Sequence, residues 1–134
     1  MDTTVLDLTT GTRVVHELTG EAERFVSGRG DGLLHAFAPH ATVGLALLET
    51  GAGSDQDLVD LLEEHLLPRD DRYRHAHGSP GHGADHLLPA LLSPSLSVPV
   101  FDGRLALGTW QSIVLVDTNR DNPRREVRLS FLAG

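Results

Sequence analysis

Asp102-Gly103 narrows what this chain can fold into more than any other dipeptide. A two-residue link of this composition tolerates two consecutive positive φ angles. Ser97 to Phe101 and Arg104 to Leu107, which flank it, are therefore expected to pair as an antiparallel hairpin. The second strand runs into Gly108-Thr109-Trp110-Gln111 before β-rich sequence resumes at Ser112 to Val116. Glycine inside a strand run marks a bulge or a close approach by another backbone or a ligand. The one tryptophan of the chain falls in this interruption. As a purely structural element it would be a core anchor whose indole N–H is satisfied by a neighbour.

The chain divides around that hairpin without a linker or an internal repeat, and its 134 residues read as one domain, 1–134, able to bury a core without disulfides. Thr3 to Leu8 and Arg13 to Leu18 alternate like strands about the turn material Thr10-Gly11, so they are expected to form an opening hairpin. Thr19 is placed to cap a short helix carrying Glu21 and Glu23 in its first turn and Ala22, Phe25 and Val26 on its buried face. Leu33 to Ala38 and Thr42 to Leu48 read as strands, the second apolar on both faces and hence central and covered. Ser54 and Asp57 resemble a capping box ahead of Leu58, Leu61, Leu62 and Leu66 at helical spacing, a run stopped by Pro68. Arg69 to Asp85 is a polar loop rich in Gly and His, of a length that is usually functional or disordered. Asp85 can cap a second helix from His86 to Leu92, and Pro89 is tolerated because its missing N–H falls among the unpaired donors of the first turn. Thr118 to Pro123 reads as a turn and Arg125 to Leu132 as an alternating closing strand.

Charge and composition exclude several classes of function. With a net charge of -8 and no basic stripe interleaved with aromatics, nucleic acid is not an expected partner. The absence of cysteine removes thiolate ligands and cysteine nucleophiles, so a metal would have to be held by His, Asp or Glu. All cationic side chains are Arg, which removes Schiff-base chemistry on lysine. No eighteen-residue apolar run and no signal-peptide pattern is present, so no membrane partner is expected and a cytoplasmic location is. Eight histidines are more than a chain of this size ordinarily carries, and His75, His77, His82 and His86 lie in or beside the long loop. Neutral imidazole suits zinc, although no HExxH motif places two ligands on one helical face, and a solvated His-rich loop is the alternative. His40, after Pro39, reads on its own as a hydrogen-bonded structural histidine. Glu49 ends an apolar strand, where a binding carboxylate or an exposed acid can sit.

Taken in order, Pro39-His40-Ala41-Thr42, Glu49, Asp57-Leu58, Tyr73 and His75, Asp85-His86, Val98-Pro99-Val100, Asp102-Gly103 and Leu107-Gly108-Thr109-Trp110-Gln111 resemble the YjbQ family, also called uncharacterised protein family 0047. The resemblance covers nearly the whole chain. It implies a single compact α+β domain with a mixed or antiparallel sheet and packed helices, assembled as a homotrimer with sites near subunit interfaces. It also implies a thiamine-phosphate synthase activity joining a pyrimidine pyrophosphate to a thiazole phosphate. By the same resemblance His40, Glu49 and His86 are the catalytic positions, and His40, His75 and His86 hold a divalent metal, Zn2+ or alternatively Mg2+. Thr42, Trp110, Gln111, Arg124 and Arg125 would bind a small phosphorylated ligand. Two departures stand out: Ala41 replaces a threonine, and Val116-Asp117 stands where a glutamate is common. His77 and His82 are extra histidines that could substitute as ligands.

These assignments leave three readings. Loss of pyrophosphate needs a cation and bidentate Arg donors to neutralise accumulating charge. Three imidazoles suit zinc better than magnesium and favour activation of water, so the second reading is a metal-dependent hydrolase of a small phosphorylated or acyl substrate with Glu49 as general base. The third is a non-enzymatic trimer that binds metal or a small ligand.

Overall fold

A computed structural model describes residues 1–134. Eight strands form two antiparallel sheets. Strands β1 (Asp2–Thr9), β3 (Gly32–Phe37), β5 (Ser95–Phe101), β6 (Arg104–Leu105) and β8 (Arg124–Ala133) make a five-stranded sheet in the order β1-β8-β3-β5-β6. Strands β2 (Val15–Glu17), β4 (Val43–Leu48) and β7 (Ser112–Asp117) make a three-stranded sheet in the order β2-β7-β4. The expected α+β class therefore holds, and every pairing is antiparallel.

The Asp102-Gly103 turn forms as its composition dictates. Asp102 and Gly103 have φ of 49° and 71°, and Val100 pairs with Leu105 across the hairpin. The opening hairpin does not form. β1 pairs instead with β8, and β2 with β7, so the two segments lie in different sheets. Both read as alternating strands whichever partner they take, which is why composition could not choose. Gly108 to Gln111 is also not a bulge within a strand. It is a turn, closed by the Gln111 amide donating to the Gly108 carbonyl at 3.1 Å, that carries the chain from one sheet to the other.

The three-stranded sheet is the middle layer. On one side Leu18, Val43, Leu45, Ile113 and Leu115 meet Leu34, Ala36, Val98, Val100, Val127 and Leu129 of the large sheet, together with Ala22 and Val26 of helix α1 (Thr19–Val26). On the other side Val114 and Val116 pack with Val14, Leu62, Leu67, Ala84 and Leu88 from the helical layer. β7 is the central strand and β4 an edge strand, but β4 is covered on both faces as expected, with Val43 and Leu45 in one cluster and Ala46 and Leu48 packed against the other. Its edge is partly covered where the Leu45 amide donates to the Ser93 carbonyl at 2.8 Å.

The helices depart from the expected caps. Thr19 is the first residue of α1, and its hydroxyl accepts the Ile113 amide at 2.9 Å instead of capping. Helix α2 (Ser54–Asp60) starts after Gly53 with no side-chain cap bond and runs into a π-helical segment, Leu61–Leu66. The wider turn closes with the Leu67 amide donating to the Leu62 carbonyl at 2.7 Å. Five-residue spacing brings Leu62 and Leu67 to the core and leaves Leu61 and Leu66 exposed. The second helical region starts at His82, not His86: a 3-10 segment, His82–Leu87, continues into α3 (Leu88–Leu91) with Pro89 in its first turn. No helix is long and apolar enough to cross a membrane.

Candidate functional site

Four of the eight histidines meet where the long loop folds back on the 3-10 segment. His82 and His86 are four apart on the 3-10 segment, and their rings meet edge to face with centroids 4.8 Å apart. Their Nε2 atoms face each other at 3.0 Å. His75 arrives from the loop and stacks on His86 with ring centroids 3.8 Å apart. One ligand nitrogen from each of His75, His82 and His86 lies within 4.8 Å of the others. Nδ1 of His75 is buried with no hydrogen-bond partner. A buried polar nitrogen left unpaired costs free energy unless a ligand completes it. This set of nitrogens fits a divalent cation that prefers imidazole. His77 lies beside His75, with centroids 4.0 Å apart, but outside that close set of ligand atoms.

The loop is held by its own side chains. Tyr73 packs against the helical core cluster, and its hydroxyl donates to the Pro68 carbonyl at 2.6 Å. Gly83 has no room for a side chain, because a Cβ there would lie 2.5 Å from the His75 carbonyl oxygen and 2.5 Å from Tyr73 Cβ. The 3-10 segment can therefore press directly on the loop backbone. Together with Ser79, Gly81 and Asp71, His75, His77 and His82 line a polar cavity of about 260 Å³. Burial, and then the neighbouring His75, His82 and His77, hold the His86 imidazole below its ordinary pKa. That favours the neutral form a metal needs.

Beneath His82 lies a buried carboxylate that the sequence reading assigned to a helix cap. Asp85 is 0% exposed. Its Oδ2 accepts His82 Nδ1–H at 3.1 Å, and its Oδ1 accepts the Thr118 hydroxyl at 2.7 Å and Arg69 Nη1 at 2.5 Å. Asp121 Oδ2 stands 3.4 Å from the same His82 nitrogen and accepts the Ser79 amide at 3.1 Å, which lowers its pKa. The one sequence signal for this arrangement was the spacing in His82-Gly83-Ala84-Asp85-His86, which places the imidazoles at i and i+4 and the carboxylate at i+3.

The other expected site residues do not join this cluster within one chain. His40 lines a second cavity, about 480 Å³, with Asp7, Thr9, Arg124, Arg125 and Glu126. Its Nε2 accepts the Glu126 backbone amide at 2.9 Å, so that lone pair is already used. The ring is neutral with its proton on Nδ1, consistent with burial and then the Arg125 charge holding its pKa below the ordinary value. The three-histidine set therefore divides: His75 and His86 are together, His40 is apart, and His82 stands in its place. Arg125 is 4% exposed and serves the fold, donating through Nε to Asp117 Oδ2 at 2.7 Å and through Nη2 to the Thr42 hydroxyl at 3.0 Å. Thr42 also accepts the Asn119 side-chain amide at 3.1 Å. Asp117, which stands where a glutamate was expected, is thus the buried counter-ion of Arg125. Arg124 is exposed and makes no ion pair, but Asp7 and Glu126 share its cavity.

Glu49, Trp110 and Gln111 lie at the far end of the β4–β7 pair. Leu48 pairs with Ser112 there, whereas Val43 pairs with Asp117 at the end nearest Thr118 and Asp85. Five strand residues separate the two ends by about 17 Å. Glu49 is exposed and cannot serve as a base at the imidazole cluster of its own chain. Trp110 is 72% exposed, so it is not the core anchor expected of a lone tryptophan. Gln111 folds inward on its own turn, with Oε1 accepting the Gly108 amide at 2.8 Å.

Against known proteins, residues 4–134 match the family model described as UPF0047 protein YjbQ-like. A UPF0047 protein of Mycobacterium tuberculosis (strain H37Rv) is 64% identical over 134 residues, covering 100% of both chains. A solved structure of a hypothetical protein from Aeropyrum pernix K1 superposes with a TM-score of 0.87 at 33% identity, covering 100% of both chains. A YbjQ-like protein of unknown function from Sulfolobus solfataricus P2 shares the fold with a TM-score of 0.90 at 23% identity, covering 99% of this chain and 97% of the other.

Proposed function

The chain belongs to the UPF0047 YjbQ-like family, and from that premise we propose that it is a metal-dependent hydrolase of a small phosphorylated or acyl substrate. His75, His82 and His86 would hold the cation. The observation that carries this reading is the set of ligand nitrogens from His75, His82 and His86 within 4.8 Å of one another, together with a buried His75 Nδ1 that has no partner. A divalent cation on three imidazoles acts as a Lewis acid and makes water acidic enough to react near neutral pH. Zinc fits better than magnesium, because magnesium demands oxygen ligands and this set has none. The chain's own part is to hold the nitrogens. The stacked His75 and His86 rings and the carboxylate-held His82 ring supply a fixed set, while Ser79, Gly81 and His77 leave the cavity open to a small polar molecule. The test is elemental analysis of tag-free protein, followed by metal-dependent turnover of a panel of phosphoesters and acyl esters. One metal per chain, lost together with turnover in His75→Ala and His86→Ala, is the expected result. Metal without turnover across the panel leaves the non-enzymatic metal-binding reading, and no metal in the wild type ends both.

The thiamine-phosphate synthase activity is the second reading. It is supported by the cavity in which His40 presents an Nδ1 proton beside the unpaired Arg124 guanidinium, where the phosphate of a small ligand could be held. Wild-type protein given both thiamine precursors should then form thiamine phosphate above an Arg124→Ala control. Self-association belongs to the same reading. Leu33, Phe37, Phe101 and Leu132 are exposed on the outward face of the large sheet, and a homotrimer would cover such surface. It would also allow Glu49 and Trp110 of one chain to reach the cavities of a neighbour.

A further inference from the structure

We propose that Asp85 is the positioning residue of the imidazole centre, fixing His82 as the Nδ1–H tautomer so that its Nε2 lone pair points at His75 and His86. The inference rests on the metal-binding reading above and gives that site its orienting group. A carboxylate can only accept, so the 3.1 Å contact from His82 Nδ1 to Asp85 Oδ2 requires the proton to be on Nδ1. A neutral imidazole has one N–H, which leaves Nε2 as the free lone pair. That atom is the one 3.0 Å from His86 Nε2. Metal-ligating histidines ordinarily donate their second nitrogen to a carboxylate or carbonyl, which sets both tautomer and ring angle.

Asp85 is itself fixed from two directions. Arg69 contributes Nη1 to Oδ1 at 2.5 Å and Nη2 to Oδ2 at 3.3 Å, balancing the buried charge. Thr118, one residue beyond β7, donates its hydroxyl to Oδ1 at 2.7 Å. The ring angle of His82 is thereby tied to the central sheet and not only to the loop. Asp121 also faces His82 Nδ1, but at 3.4 Å, and its near oxygen already accepts Ser79. It is the secondary acceptor.

Asparagine at position 85 makes the argument testable. The two shorter bonds converge on Oδ1, so the amide oxygen of Asp85→Asn stays with Arg69 Nη1 and Thr118, and its NH2 group turns to His82 Nδ1, giving up only the longer 3.3 Å contact from Arg69 Nη2. A donor there obliges Nδ1 to accept and moves the ring proton to Nε2, removing the lone pair. The same logic makes asparagine in place of a triad aspartate impose the wrong histidine tautomer.

The experiment has two readouts, neither of which is catalysis. Long-range ¹H–¹⁵N correlation spectra of metal-free protein report the His82 tautomer, and zinc titration against a chromophoric chelator reports affinity. Expected are Nδ1–H in the wild type, Nε2–H in Asp85→Asn, and zinc affinity reduced by at least about tenfold in that variant. Asp121→Asn should be indistinguishable from the wild type in both. Nε2–H in the wild type, or unchanged zinc affinity in Asp85→Asn, overturns the positioning role while leaving the metal reading intact. A wild type that binds no zinc overturns the metal reading and this inference with it. If Asp85→Asn does not fold, Thr118→Val takes its place. It loosens Asp85 without touching His82 and should weaken zinc severalfold with the tautomer kept, whereas unchanged affinity overturns the proposal.

Discussion

Replacing Asp117 by alanine should destabilise the protein by about 3 kcal/mol, the lower part of the 3–5 kcal/mol range for breaking a buried ion pair from one side. Arg125 and Asp117 are each 4% exposed, and their guanidinium and carboxylate meet through two bonds, at 2.7 and 3.3 Å. Removing the carboxylate leaves a cation under the large sheet with one remaining neutral acceptor, Thr42 Oγ1 at 3.0 Å. The cavity that Arg125 lines admits some water, which moderates the cost. Since a domain of this kind is stable by about 5–15 kcal/mol, such a loss is a large part of the total. Urea titration followed by circular dichroism measures it as a fall in midpoint at unchanged m-value. The double replacement Asp117→Leu with Arg125→Met should recover most of the loss, because it removes both buried charges and keeps the volume. A cost below about 1 kcal/mol for Asp117→Ala, the size of an exposed pair, would refute the reasoning and return Arg125 to the cavity as a ligand-binding side chain.

Zinc at one hundred times its dissociation constant should stabilise the wild type by about 2.7 kcal/mol through mass action, read as a rise in melting temperature that EDTA reverses; the same rise in His75→Ala would remove His75 from the site. Leu67→Ala should cost about 2–4 kcal/mol and Leu66→Ser less than about 0.5 kcal/mol, because the π-type turn buries the first and exposes the second; equal costs in thermal melts would mean that an ordinary α-helical register persists. His40 has a folded-state pKa below its unfolded value near 6.5, so the unfolded chain binds more protons and the folded state loses stability as pH falls through and below that value. His40→Gln should flatten the stability profile on the acidic side of about pH 6.5, and a profile as steep as the wild type's would refute the assignment. Gly83→Ala should loosen the contact of the 3-10 segment with Tyr73 and His75, costing about 1–3 kcal/mol and weakening zinc; calorimetry with zinc titration checks both.

At the hairpin turn and in the closing strand the sequence alone determined the outcome. Asp102-Gly103 has to turn, and it does so with both residues at positive φ. The alternation from Arg125 onward made a strand with one buried face, and β8 carries Arg125, Val127, Leu129 and Phe131 inward. The ordered residues from His40 to Gln111 were enough to identify the family. The partner of each strand could not be read in the same way. β1 and β2 look like a hairpin because they are adjacent, yet the core is better closed by sending one to β8 and the other to β7, more than a hundred and about a hundred residues away. The cover on both faces of β4 was legible in its apolar run, but the central position went to β7, which the sequence did not single out.

The same division runs through the candidate site. Histidine content marked the right loop, and His75 and His86 do meet. Sequence order could not show that His40 spends its Nε2 on the Glu126 amide, or that Glu49 and Trp110 end up at the opposite end of the central strands. Nor could it show that Asp85, suited in sequence to a helix cap, is buried against Arg69 and Thr118 with His82 above it. Turn and strand propensities act over a few residues and are written in them. The tautomer of a histidine and the partner of a buried charge depend on groups brought together only when the sheets close, so the tertiary structure decided them.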